Sequence, residues 1–481
     1  MTASATTGLR TLIVGAGEAG RALARDLLRI SQFGLLPLGF LDDDPAKCGL
    51  DGVEVLGGLD DAAATVIEHG VEVVVVAIPE LSPQRFRQVA RAAEANGASV
   101  RYLPSFVAAL RRDVVGDDMR ALDVRRLTGR SEIPVVSHRT GAIITGKRVL
   151  VTGAGGSIGS ELCRQVRVFE PGRLFLLDHD ESHLHRLGLE LYGRALHDDV
   201  VISDIRDRAR IDQVLAELRP DVVFHAAAHK HLPLLERHPC EGVKSNVLGT
   251  QNLVRAAFAA HVERFVLIST DKAADPVSVL GATKRLAELI VQAGAGSSTV
   301  LTAVRFGNVL GSRGSLLSVL AEQLGSGRPL TVTHPDVTRF FMTVEEAVGL
   351  VLEAARMAVG GEVFVLDMGE EVRILDLVRA FARTMNVPDP EIRFTGLQAG
   401  EKMRETLFST QEAYAPTRHP RILAATPSSR PALAAALRPL EALYEAAARN
   451  DRAETRRILA RMLPGFPAQL TEVETAHAVR R

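Results

Sequence analysis

Residues 147–166 read KRVLVTGAGGSIGSELCRQV. A short apolar run leads into a turn of glycines, and an amphipathic helical pattern follows. The glycines are Gly153, Gly156 and Gly159, with Ser157 and Ile158 between the last two. Glycine here lets the backbone approach a dinucleotide pyrophosphate, and the helix N-terminus that follows favours its charge. The spacing TGxxGxIG predicts the first strand, turn and helix of an α/β doubly wound parallel sheet.

The following segments extend that sheet. RLFLLDHDES reads as a strand ending in Asp178. A carboxylate there accepts hydrogen bonds from an adenosine ribose and repels a 2′-phosphate, so NAD is expected rather than NADP. The alternative for Asp178 is a helix cap. VVISDIRD places Asp204 and Ile205 at the end of a third strand, suited to the adenine. In DVVFHAAAHKHLPLLE a buried strand precedes Ala226 and Ala227, small residues beside which a cofactor can lie close. His229, Lys230 and His231 follow, and no further ligand stands at useful spacing, so no metal is expected. RFVLISTDKAADPVSVLGATKRLAELI ends a strand at Ser269 and Thr270. Asp271 and Lys272 then sit at the carboxyl edge of the sheet, where ligands bind in this fold class. Lys284 stands four residues after Leu280 on the next helix, so the two share a face.

A comparable unit precedes this one. TLIVGAGEAGRALARDLL carries Gly15, Gly17 and Gly20, and LLPLGFLDDD ends in Asp42, Asp43 and Asp44. VEVVVVAIPE is an unbroken apolar run of the kind buried in a parallel sheet. The glycines admit two readings, nucleotide binding or tight strand–helix packing, and no catalytic set follows them. The expected organisation is two tandem Rossmann-like sheets. Residues 1–125 form the first domain, 126–146 a linker, 147–425 the second domain with a smaller C-terminal substrate subdomain, and 426–481 an Ala/Arg/Leu-rich helical appendage.

The chain has 481 residues, 46% hydrophobic and 24% charged, with a formal net charge of −1. That balance gives no footprint for nucleic acid. There is no tryptophan and there are only 4 tyrosines, which also argues against base stacking. Cys48, Cys163 and Cys240 are far apart and read as small buried residues of a reducing compartment. No apolar stretch reaches the ~20 residues of a membrane span, and the N-terminus lacks a signal-peptide pattern. A cytoplasmic protein, with homo-oligomer contacts, is expected.

The TGxxGxIG turn and the strands after it resemble the short-chain dehydrogenase/reductase group. In that group a tyrosine stands four residues before the lysine and transfers a proton; here SVLGATK, residues 278–284, puts Leu280 in its place. Five further segments, in order, narrow the resemblance: AAAHKHLPLLERHPCEGVKSNVLGTQN, STDKAADPVSVLGATKRLAE, RFGNVLGSRGSL, RFFMTVEEAV and GEKMRE. Over about residues 10–425 the chain resembles the bacterial polysaccharide-biosynthesis nucleotide-sugar 4,6-dehydratases. Long members usually carry membrane helices ahead of the first unit, and this chain resembles a soluble version of them. Those long members often have methionine at the tyrosine position.

The resemblance implies an extended short-chain dehydrogenase/reductase fold, NAD, and a UDP-N-acetyl-hexosamine substrate. UDP-sugar 4-epimerization and catalytically silent nucleotide-sugar binding by a regulator are the alternatives. It implies Asp271 as acid at O6 and Lys272 as base at C5, with Thr270 near O4 and Lys284 on the nicotinamide ribose. The group that takes the O4 proton stays open between Asp271, Lys272 and a water relay. As a base, Lys272 needs a pKa below its usual ~10.4, which burial and Lys284 are expected to provide. Lys230, Asn308, Arg313, Arg339 and Glu401 are implied at the substrate. Gln398 stands where the family commonly has arginine.

Overall fold

A computed structural model describes residues 8–29, 35–50, 52–78, 81, 83–102, 136–194, 197–312, 314–385, 387, 389–410, 412–425 and 430–468. The chain divides into two compact units. Strands are numbered here in chain order.

The first unit holds β1 (Leu9–Val14), β2 (Leu35–Leu41), β3 (Glu54–Gly57), β4 (Val73–Val76), β5 (Ser99–Tyr102) and β6 (Val136–Ser137). Their order is β3-β2-β1-β4-β5-β6. All pairs are parallel except β5 with β6. So β6, inside the stretch expected to be a linker, is an edge strand of this sheet. The four valines of β4 are all buried, as an interior parallel strand requires. Gly15 has φ +106°, and a Cβ on Gly20 would lie 1.8 Å from the Gly15 carbonyl oxygen. Strand and helix therefore touch through glycine alone. Asp42 accepts the Ala16 N–H at 2.7 Å and so ties down the turn.

The second unit is built on β7 (Arg148–Thr152), β8 (Arg173–Asp178), β9 (Val200–Ile202), β10 (Val222–His225), β11 (Arg264–Ile268) and β12 (Val300–Arg305). Short strands follow: β13 (Asn308–Leu310), β14 (Leu330–Val332), β15 (Thr338–Arg339) and β16 (Phe341–Thr343). The last five are β17 (Val363–Leu366), β18 (Val372–Arg373), β19 (Ile392–Phe394), β20 (Tyr414–Pro416) and β21 (Ile422–Ala425). The main sheet runs β20-β21-β17-β12-β11-β10-β7-β8-β9. It is parallel from β9 to β17, and β21 and β20 close it antiparallel. Strand order reverses between β7 and β10, which opens a crevice at their carboxyl ends. Three two-stranded pairs, β13·β16, β14·β19 and β15·β18, stand apart from the main sheet.

Helices are set by local signals. Asp180 and Asp207 cap helices Glu181–Tyr192 and Arg208–Leu218 with side chains that accept backbone N–H groups. Thr343 and Glu346 form a capping box at helix Val344–Met357. The C-terminal helices Leu440–Ala448 and Arg452–Met462 bury Leu443, Ile458 and Leu459 in the same hydrophobic cluster as β10 and β11. They are part of this unit's core. Cys163 and Cys240 are buried as expected, whereas Cys48 is exposed.

A buried ion cluster braces the sheet beside the crevice. Arg305, at the end of β12, is fully buried. It donates to both oxygens of Glu288, at 2.7 Å each, and to both oxygens of Glu412, at 2.6 and 2.9 Å. Glu288 also accepts the Ser269 hydroxyl at 2.6 Å. Burial would raise the Glu412 carboxyl, but Arg305 and Arg285 hold it down at about 2. A carboxylate with a lowered folded pKa stabilises fully above its unfolded value of ~4.5, and that contribution is lost as pH falls toward 2. The urea midpoint is therefore expected to drop between pH 4.5 and 2, with a shallower drop in Glu412→Gln. Equal slopes in the two proteins would contradict this.

Candidate active site

The glycine turn lies at the strand-order reversal. Gly153 has φ +69°, and a Cβ on it would stand 2.5 Å from the Ala227 amide nitrogen. A Cβ on Gly159 would stand 2.0 Å from the Gly153 carbonyl oxygen. Three segments thus meet at backbone distance, leaving Ser157 and Ile158 to open the helix Ser157–Val168. Gly156 donates to the Gly153 carbonyl at 3.0 Å. Asp178 accepts the Gly155 N–H at 2.9 Å and the Asp180 N–H at 3.1 Å, so it shapes the turn. Asp204 is occupied by Arg206, whose guanidinium it accepts. Ile205 is buried against Gly249, where any Cβ would lie 2.6 Å from its side chain.

His225 closes β10 between two hydroxyls, Thr152 Oγ1 at 2.8 Å and Thr250 Oγ1 at 3.0 Å. Burial, aided by Lys284, pushes it down to about 3, so it is a neutral bridge at ordinary pH. The turn after Ala226 and Ala227 is held by Asn246, which accepts the His229 N–H at 2.9 Å. Asn246 also donates to the His229 carbonyl at 3.1 Å and to Thr283 Oγ1 at 3.0 Å. Residues 243–248, which carry Asn246, form a π-helical turn, a feature frequent at functional sites. Lys230 is exposed at this turn.

The Asp271–Lys272 pair stands one step past β11. Asp271 is fully buried. Its Oδ1 accepts Thr270 Oγ1 at 2.9 Å and Lys272 Nζ at 3.0 Å, while its buried Oδ2 has no hydrogen-bond partner. Lys272 Nζ also donates to Asn308 Oδ1 at 3.2 Å, and Glu405 Oε1 is 3.8 Å away. Glu405 is buried, and its Oε2 is likewise without a partner.

The charges around Lys272 run against the lowered pKa expected from the sequence. Burial alone would lower Lys272, but the carboxylates of Asp271 and Glu405 outweigh it, and the net shift is upward. This direction favours the ammonium, opposite to the lowering expected of a base at C5. Glu405 is a buried carboxyl group beside Lys272 that sequence reasoning missed. It is the last residue of the GEKMRE segment, and its signal is a second glutamate in a motif that already carries Glu401.

Ser278 caps the helix Val279–Ala293, accepting the Gly281 N–H at 3.1 Å. A Cβ on Gly281 would stand 2.2 Å from the Lys272 carbonyl oxygen, so this helix packs directly on the Asp271–Lys272 turn. Leu280 is buried within the hydrophobic core. Lys284 is buried; burial pulls it down to about 8, against Glu288. Its Nζ donates to the Ile268 carbonyl at 2.6 Å.

Arg339 and Glu401 are brought together at 2.7 Å. Arg339 also donates to the Thr338 carbonyl, and Glu401 accepts Thr333 Oγ1 and the Gln398 N–H. The pair pins the 398–405 loop beside Lys272. Arg313 lies outside the described residues.

A parallel sheet with a glycine turn at its strand-order reversal, and an Asp–Lys pair at its edge, defines an extended short-chain dehydrogenase/reductase architecture. The family model described as polysaccharide biosynthesis protein matches residues 149–427, and the chain belongs to that family. It is 41% identical over 414 residues to capsular polysaccharide biosynthesis protein CapD of Staphylococcus aureus, covering 84% of this chain and 69% of that one. The solved structure of Pen from Bacillus thuringiensis is 32% identical, with a TM-score of 0.55, covering 60% of this chain and 91% of that one. Shorter relatives carry two activities by name. A UDP-N-acetylglucosamine 4,6-dehydratase (inverting) of Campylobacter jejuni is 31% identical, covering 56% of this chain and 80% of that one. A UDP-glucose 4-epimerase of Rickettsia rickettsii is 34% identical, covering 55% and 79%. The chain is thus an enzyme of the nucleotide-sugar dehydratase and epimerase group. Among the described residues no helix is long and apolar enough to cross a membrane.

Proposed function

We propose that this protein is an NAD-dependent 4,6-dehydratase of a UDP-N-acetyl-hexosamine, UDP-N-acetylglucosamine first among them. The product is the UDP-2-acetamido-2,6-dideoxy-4-hexulose, with C5 configuration retained, for bacterial glycan synthesis in the cytoplasm by a homo-oligomer. One observation carries the reading: Thr270, Asp271 and Lys272 are gathered at the sheet edge while apolar Leu280 fills the tyrosine position. A 4-epimerase of this fold relies on that tyrosine at O4, so Leu280 disfavours epimerization. The 4,6-dehydration adds an elimination, for which buried acid and base groups beside the sugar are the requirement.

The glycine turn fits a dinucleotide, because its backbone is bare where a Cβ would fill the cradle. Gly153, Gly156, Ser157, Ile158 and Gly159 would hold the pyrophosphate, and Asp178 the ribose, favouring NAD over NADP. Ala226, Ala227, Asp204, Ile205 and Lys284 complete that site in the proposal. Bound NAD supplies the hydride acceptor for sugar C4 and the donor for C6. Lys272, held as an ammonium, places positive charge beside oxygens on which negative charge develops. Asn308 and Thr270 fix Lys272 and Asp271 in place; Lys230, Arg313, Arg339 and Glu401 are assigned to the UDP-sugar.

Gly153→Ala tests the cofactor turn. A Cβ at positive φ costs ~1–2 kcal/mol before any clash. Dinucleotide affinity should therefore fall at least about tenfold, read by titration calorimetry; unchanged affinity would place the cofactor elsewhere. The activity itself is tested by incubation with UDP-N-acetylglucosamine and mass spectrometry of the product. Loss of one water is expected, and an isomer of unchanged mass would make the enzyme an epimerase.

A further inference from the structure

Two carboxylate oxygens in this site are buried and unpartnered, Asp271 Oδ2 and Glu405 Oε2. Buried polar atoms without partners are uncommon, and each calls for an explanation. Both belong to groups that flank one cation, Lys272 Nζ, at 3.0 Å from Asp271 and 3.8 Å from Glu405. Each group directs one oxygen toward Lys272 and leaves the other available. The two elements that carry them are locked independently. Asp271 is fixed by its N–H to the Phe306 carbonyl at 3.0 Å and by Thr270. The Glu405 loop is fixed by the Arg339–Glu401 pair on one side and the Arg305–Glu412 pair on the other. A rigid pair of oxygens beside one ammonium is matched to a ligand with two proton-bearing positions.

Resting on the dehydratase reading above, we propose that Glu405 is the acid of the elimination and Asp271 its base. The C5–H bond breaks, its proton passes to Asp271 Oδ2, and its electron pair forms the C5–C6 double bond. The C6–O6 bond breaks with its pair on oxygen, which takes the Glu405 proton and leaves as water. Asp271, after exchange with solvent, returns a proton to C5 as C6 receives hydride from the reduced nicotinamide. Glu405 regains a proton from solvent, matching the one released from O4 when the ketone formed. This moves the base role that the family resemblance implies from Lys272 to Asp271 and the acid role from Asp271 to Glu405, and leaves Lys272 as the fixed charge between them.

The charges agree with this division. Burial raises the Glu405 carboxyl, as does Asp271, against the opposing pull of Lys272, Arg339 and Lys402, and the net direction is up. That direction favours the protonated form that an acid at O6 needs.

Glu405→Gln tests the proposal, because an amide keeps the shape and cannot give up a proton. Turnover of UDP-N-acetylglucosamine should fall about 10²–10⁴-fold, with KM nearly unchanged and the alkaline limb of the pH profile lost. The UDP-sugar bearing fluorine in place of the C6 hydroxyl needs no acid, since fluoride leaves unprotonated. Glu405→Gln should therefore turn over the fluoro substrate within a few-fold of the parent enzyme, whereas Asp271→Asn should fail on both. Infrared spectra of the protein alone at neutral pH should lose one buried carboxylic-acid band in Glu405→Gln. Full activity of Glu405→Gln on the hydroxyl substrate, or equal loss on both substrates, would overturn the acid role. An unmodified protein that dehydrates neither sugar would instead overturn the dehydratase reading, while the infrared band still reports on Glu405.

Discussion

Lys272→Met will lower turnover by about 10²–10³-fold, the effect of removing one fixed charge from a developing oxyanion. The Lys272 Nζ meets Asp271, Asn308 and Glu405 together. Without it, Asp271 and Glu405 face each other across a buried gap with no cation between them. The loss should appear in kcat, since the interaction strengthens only as charge develops. Lys272→Arg keeps the charge but spreads it over a planar fork, so it should restore folding and only part of the rate. Steady-state kinetics of both variants decide the matter. A Lys272→Met enzyme within a few-fold of the parent would remove Lys272 from the mechanism.

Arg305→Met should have the largest effect on stability. Its guanidinium makes four hydrogen bonds to two buried carboxylates. Removing one partner of a buried ion cluster leaves uncompensated charge and costs about 3–5 kcal/mol. Arg285, 3.1 Å from Glu288 and 2.7 Å from Glu412, offsets some of that cost. The consequence reaches the site from two sides, because Glu288 holds Ser269 at the end of β11 and Glu412 follows the loop of Glu405. Chemical denaturation should show a lower midpoint, and activity should fall before the global transition. An unchanged midpoint would mean that the cluster carries no net stability.

Whatever is written in local pattern is legible in this sequence. The glycine turn at 153–159 follows from spacing, and the buried strands follow from unbroken apolar runs. Asp271 and Lys272 are locatable because a strand ends just before them, and a parallel sheet binds ligands at that edge. What stays hidden depends on contacts between distant segments. Glu405 reaches Lys272 only because β15 and the 398–405 loop fold back over the sheet edge, held by Arg339. The upward shift of Lys272 escapes sequence reasoning for the same reason: its burial is foreseeable, but the second acidic group beside it is not. The C-terminal helices read as a helical segment without a motif. In the fold Arg456 donates to Glu236 at 2.7 Å, and Glu236 accepts the Val279 N–H at 2.6 Å. That buried pair fixes the start of the helix that carries Leu280 and Lys284.

The most direct measurement is proton NMR of the purified protein with UDP-N-acetylglucosamine in D₂O. A new C6 methyl signal on a 4-keto sugar, deuterium at C5, and coupling constants of the retained configuration are expected. A C4 epimer with intact C6 and unlabelled C5 would contradict this, because Leu280 leaves that reaction without its proton-transfer group.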